Sequence, residues 1–84
     1  HPNPFNPSTV IEYYLPEPLK VTLEIFDVSG RRVKCLVDRV EDEGVHSVRW
    51  NGLDDKNNTA VSGVYFYRLT WGNKAVSKKM IFIR

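Results

Sequence analysis

The sequence is short of the groups that chemistry needs. Its single cysteine, Cys35, excludes an internal disulfide. Neither histidine, His1 nor His46, lies near that thiol in sequence, so Cys35 reads as a small buried apolar group and not as a nucleophile. Ser8, Ser29, Ser47, Ser62 and Ser77 sit in turn or strand contexts without a G-x-S-x-G elbow, and no glycine-rich phosphate loop is present. Nucleophilic catalysis has no support. Charge of one sign is also scarce: 12 Lys and Arg against 10 Asp and Glu leave +2, too little to argue for nucleic acid. No apolar run approaches the roughly 20 residues of a membrane-spanning helix, no signal peptide is visible, and no stretch has a convincing helical period. The chain starts at His1 and not at a methionine, which leads to the expectation of a piece from something longer.

What is present is alternation. Pro2, Pro4 and Pro7 make the opening HPNPFNPST extended, because each fixes φ and lacks an N–H. Residues 1–8 are therefore expected to lead in from an upstream domain, with Phe5 as their apolar anchor. Thr9 to Leu15 alternates with Ile11, Tyr13 and Leu15 on one face. Lys20 to Val28 places Val21, Leu23 and Ile25 inward, until at Phe26 the apolar character crosses over, which predicts a bulge or a bend between sheets. DVSGRR is a turn in which Gly30 is free to take positive φ. Val33 to Val40 resumes a strand, and its adjacent Leu36 and Val37 suit a bulged or edge strand. Val45 to Trp50 puts His46, Val48 and Trp50 on one face, His46 as partly buried rim packing.

Trp50 to Leu69 is the expected centre of the fold: a strand end, the Asn51-Gly52 turn, the long polar loop LDDKNNTAVSG and a second strand. On that strand Tyr65, Tyr67, Leu69 and Trp71 share a face, and each fully buried ring or leucine contributes about 1.5–3 kcal/mol. Gly72-Asn73 turns the chain into a last strand, Ala75 to Ile83, with Val76, Lys78, Met80 and Phe82 on one side and Ser77, Lys79, Ile81 and Ile83 on the other. Short strands with turn residues every 8–12 positions predict an all-β fold. The expectation is an immunoglobulin-like antiparallel β-sandwich of about seven strands over 9–84, with aromatic and aliphatic packing in place of a disulfide.

Two binding chemistries deserve weighing. Asp54, Asp55, Asn57 and Asn58 offer closely spaced oxygens to calcium, but the glycine and bidentate glutamate of an EF-hand loop fall on Thr59 and Tyr65, and Asp and Asn are what turns prefer. A plain loop is the better reading, and no metal or cofactor is expected. Tyr13, Tyr14, Trp50, Tyr65, Tyr67 and Trp71 offer a sugar-stacking platform, yet most alternate with polar residues and turn inward. Trp71, beside a turn, is the one ring expected at the surface.

HPNPFNPST, DVSGRRV, VRWNGLDD, SGVYFYRL and the terminal KKMIFIR, in that order, resemble the C-terminal sorting domain of proteins exported by the type IX secretion system of Gram-negative bacteria. That domain is itself similar to the immunoglobulin-like domain of the flagellar hook-capping protein. The resemblance implies a non-catalytic module at the end of a secreted cargo, recognised by the type IX translocon at the outer membrane, in many members removed by an associated signal-processing protease, and destined for secretion or the cell surface. On this chain the family's motif residues fall on Pro2, Asn3, Pro4, Phe5, Gly30, Val33, Trp50, Gly52, Gly63, Tyr65 and Tyr67. The export signal falls on Lys78, Lys79, Met80, Ile81, Phe82, Ile83 and Arg84, with Arg84 where many members have lysine. Lys78, Lys79 and Arg84 around MIFI also serve simply to keep an edge strand soluble and prevent edge-to-edge pairing. Both roles suit an edge strand that a receptor pairs with through its backbone. The alternatives are a structural or scaffold immunoglobulin-like domain and a carbohydrate-binding accessory module.

Overall fold

The computed structural model describes residues 8–84. They form six antiparallel strands: β1 Thr9–Leu15, β2 Leu19–Asp27, β3 Arg32–Glu41, β4 Gly44–Trp50, β5 Gly63–Trp71 and β6 Lys74–Phe82. One sheet is the pair β1-β4, and the other has the order β3-β2-β5-β6. Six strands are close to the seven or so expected, and the polar loop after Trp50 adds only an isolated Leu53–Thr59 bridge. Pro2, Asn3, Pro4 and Phe5 lie outside the described residues.

The period-two pattern places the core. Ile11 and Leu15 from β1, Val21, Leu23 and Ile25 from β2, Val37 from β3, Trp50 from β4, Tyr65 and Leu69 from β5 and Phe82 from β6 make one buried cluster between the two sheets, with Ala60 from the loop. The sheets lock through rings. Trp50 of the small sheet meets Tyr65 at 5.2 Å and Phe82 at 4.8 Å between centroids, and Tyr65 and Phe82 meet edge-on at 6.3 Å. Such contacts add about 0.5–1.5 kcal/mol each beyond area burial.

Several expectations are corrected. Tyr67 is half-buried and packs against the cluster from outside, since the two-stranded sheet is too narrow to cover the whole of the four-stranded one. Trp71 is half-buried too and packs on the same cluster, whereas Tyr14, on the outward face of β1, is the exposed ring at 64 %. Cys35 is half-buried, not fully; its thiol contacts the Val37 carbonyl at 3.6 Å, and burial pushes its pKa up, away from reactivity. The change of face at Phe26 is no change of sheet. β2 keeps its register with β5 throughout, Phe26 opposite Phe66, and the irregularity lies on β3, where Val33 and Leu36 are each skipped by the β2 ladder. The second of these bulges lets Val37 reach the core while adjacent Leu36 also packs against it.

At the opposite end from the ring cluster, a polar group ties the sheets. Tyr13 Oη donates to Glu41, Tyr13 stacks on His46 at 5.4 Å, and His46 Nδ1 lies 3.8 Å from Glu41 Oε1. Arg39 adds a salt bridge to Glu41 at 3.1 Å. Burial first, and then the bond to Glu41, raise the Tyr13 phenol above its ordinary range.

Candidate functional site

Antiparallel register carries most of the singled-out residues to one end of the sandwich. Asp27 faces Tyr65, Gly63 faces Phe82, and Thr9 faces Trp50. Gly30, Val33, Trp50, Gly52, Gly63, Tyr65, Phe82 and Arg84 therefore gather there, and of these Val33, Gly63 and Tyr65 line an open groove whose walls also include Val28, Arg31, Arg32, Lys56, Val61 and Val64. Tyr67 stands two residues further along β5, and Lys78 and Lys79 lie farther along β6 from that end.

The loops at this end spend their polar groups on themselves. Asp27 Oδ1 accepts from Ser29 N at 2.9 Å, Ser29 Oγ at 2.6 Å and Arg31 N at 3.1 Å, and Gly30 closes the turn at φ +86°. Asp54 Oδ1 accepts from Lys56 N at 2.8 Å and Asn58 N at 2.9 Å. Trp50 Nε1 donates to Leu53 O at 2.9 Å, and Tyr65 Oη donates to Val61 O at 2.6 Å, so both core rings hold the loop by their polar tips. Of the residues weighed for calcium, Asp54 is thus a turn-forming group, which is the commoner use of Asp in a loop.

Asp54 is held below the ordinary carboxylate range, chiefly by the Asn58 N–H; Asp27 is lowered chiefly by the Ser29 hydroxyl. A depressed folded pKa contributes stability above the unfolded pKa, lost as pH falls through the folded one. Asp54→Ala is expected to make the acid limb of stability, below about pH 4, shallower. Urea midpoints measured between pH 2 and 7 check this; an unchanged limb contradicts it.

Asp55 acts on the sheet. Its backbone N donates to Val33 O at 2.9 Å, its Oδ1 accepts from Cys35 N at 3.0 Å, and its Oδ2 pairs with Arg32 Nε at 3.2 Å. One residue of the loop thereby occupies the outer edge of β3 beside its bulges. Nothing in a period-two reading singles out that role.

β6 is the contrasting edge. It pairs with β5 alone, and among the described residues its other side has no strand partner. The terminal block divides by face. Phe82 is 2 % exposed and Met80 packs on the core, so those two hold the strand in place and are not free to meet a partner. Lys78, Lys79, Ile81 and Ile83 are exposed. Arg84 is tied back, its N donating to Ser62 Oγ at 3.0 Å and its Nη1 to Ala60 O at 2.7 Å. The net charge conceals a partition: every Asp and Glu lies at or before Asp55, whereas Lys56, Arg68, Lys74, Lys78, Lys79 and Arg84 follow it. Charge counted along the chain instead of over it reveals this run of cations.

The FlgD Ig-like domain family matches residues 6–74, stopping where β6 begins. No curated protein matches. Among solved structures, the chain is similar to the crystal structure of FlgD from P. aeruginosa, with TM-score 0.71 and 17 % identity over 95 % of this chain and 61 % of that one. That likeness is one of fold, and the chain spans about three fifths of the length of that protein. With the family matched along most of its length, from the proline-rich opening to the last turn, the chain belongs to the FlgD Ig-like domain family.

Proposed function

We propose that this chain is a non-catalytic structural module of a larger protein, a sandwich that spaces or assembles other parts. Membership of the FlgD Ig-like domain family is the observation that carries this reading. The polar groups at the loop end support it, since the aspartates there are taken up by backbone N–H groups, the Ser29 hydroxyl and the Arg32 guanidinium.

A second, finer reading is favoured by the open edge of β6: a sorting domain that directs an upstream cargo through the type IX secretion translocon, for removal by its signal-processing protease or retention at the cell surface. Its support is the resemblance of the sequence blocks together with a terminal strand that is cationic, exposed on one side and unpaired along its edge among the described residues. Deleting Lys79 to Arg84 is a poor test, because it removes Phe82 from the core and unfolds the domain along with the signal. The better variant keeps Phe82 and Met80 and replaces Lys78→Ser, Lys79→Ser, Ile81→Thr and Ile83→Thr in a cargo fusion expressed in a type IX-secreting bacterium. It is expected to fold, by thermal unfolding of the purified domain, and to remain in the periplasm. Normal export of that folded variant removes the sorting reading and leaves the structural one.

A further inference from the structure

We propose that the free edge of β6 receives an extended segment of a different protein, and that this segment is acidic where it runs beside Lys78 and Lys79 and apolar where it runs beside Ile81 and Ile83. The inference deepens the sorting reading and rests on it for the choice of strand; the chemistry of the partner comes from the edge itself.

The four-stranded sheet has two outer strands, and they are treated differently. β3 is bulged at two positions and carries Asp55 against its backbone at Val33 and Cys35. β6 is nine residues long, pairs with β5 in unbroken register from Gly63–Phe82 to Trp71–Lys74, and contains no proline. A regular strand whose outer N–H and C=O groups have no partner among the described residues is a template for one more strand. It is also pre-formed. Phe82 is set among Trp50 and Tyr65, and Arg84 is fastened to Ala60 and Ser62, so the ordering cost of docking falls on the incoming segment alone.

Charge selects the occupant. Lys74, Lys78, Lys79 and neighbouring Arg68 form no salt bridge among the described residues, while Lys20, Arg32 and Arg39 on the other side of the sheet do. A second copy docking β6 to β6 in full antiparallel overlap sets Lys78 and Lys79 of one strand beside Lys78 and Lys79 of the other, and like charges across a strand pair are destabilising. The same lysines attract carboxylates. Because Lys78 and Lys79 are successive residues, they stand on opposite faces of the sheet, so the incoming strand needs an acidic residue on each face at that level.

Apolar surface sets the other half. Ile81 is 65 % exposed and Ile83 73 %; Ile81 stands opposite Val64, one step from the half-buried Phe26–Phe66 pair on the same outer face. A β-branched residue added beside Ile81 extends this patch and takes both out of water. The segment that fits is thus apolar at one end and acidic at the other.

The test uses the 84-residue chain and a capped ten-residue peptide, valine- and isoleucine-rich in one half and glutamate-rich in the other, followed by amide shifts in NMR titration. Shifts are expected along β6, with affinity falling as salt rises. Lys78→Glu with Lys79→Glu, both at exposed positions, is expected to weaken binding about tenfold or more, and a proline at the peptide's centre is expected to abolish it. No binding, shifts centred away from β6, unchanged affinity in the lysine variant, or dimerisation of the free chain through β6 each overturn the inference. Peptide binding to β6 combined with normal export of the serine and threonine variant sinks the sorting reading and leaves the acidic-strand site standing. Lost export with no peptide binding does the reverse.

Discussion

Gly52→Ala is expected to destabilise the domain by about 2–5 kcal/mol, the sum of overpacking and a left-handed backbone. Gly52 is buried at φ +80°, and a Cβ built there falls 2.3 Å from Phe82 Cζ. The obstacle is a ring already confined by Trp50 and Tyr65, so it has nowhere to swing. The glycine is required twice over, for its dihedral angle and for the room it leaves. The two costs separate in a double-mutant cycle. In a Phe82→Ala background the ring is gone and Gly52→Ala should cost only the conformational part, about 1–2 kcal/mol. Urea unfolding of the four proteins measures this; equal costs in both backgrounds would falsify the clash.

Trp50→Ala is expected to cost about 3–5 kcal/mol, the range for removing a large buried ring. Trp50 is 0 % exposed, joins the sheets through Tyr65 and Phe82, and holds Leu53 O by its indole N–H. Small domains have about 5–15 kcal/mol to lose, so this variant should forfeit a third or more of the stability of a domain near the lower end of that range. Trp50→Phe keeps a ring in the cluster but loses the bond to Leu53 O and part of the ring volume, and should cost about 1–3 kcal/mol. The same urea series, with hydrogen exchange at Ala60, whose N–H bonds to Gly52 O at 2.7 Å, separates loss of the loop from loss of the core. A loop that stays protected while the core weakens would show that the indole N–H is not what fixes it.

Sequence alternation located the strands within a residue or so of their ends, because a half-buried strand writes its two faces into successive residues. It put Val21, Leu23 and Ile25 inward, and all three are fully buried. Alternation says which face a ring is on and not how far the opposing layer reaches. Tyr67 and Tyr65 share a face, yet only Tyr65 has Trp50 above it. Alternation puts Phe82 on its correct side but within a basic tail, since its partners Trp50 and Gly52 are some thirty residues away and no local pattern links them. Asp55 illustrates the same limit: its three partners lie on β3, and in sequence it is one polar residue in a polar loop. The cationic stripe was open to a sequence reader, hidden only by summing charges over the whole chain.

Asp55 also decides what kind of assembly the larger sheet permits. Head-to-tail filaments of sandwiches need a donor edge and an acceptor edge on every unit, so that each copy passes the ladder on. Here the loop stoppers one border at Val33 and Cys35 and the bulges warp the rest, so a strand gained at β6 ends the series. Asp55→Ala frees Cys35 N but keeps the backbone bond to Val33 O and the bulges, so the variant is expected to stay dispersed, and fibrils seen by light scattering would show that the side chain alone was the stopper.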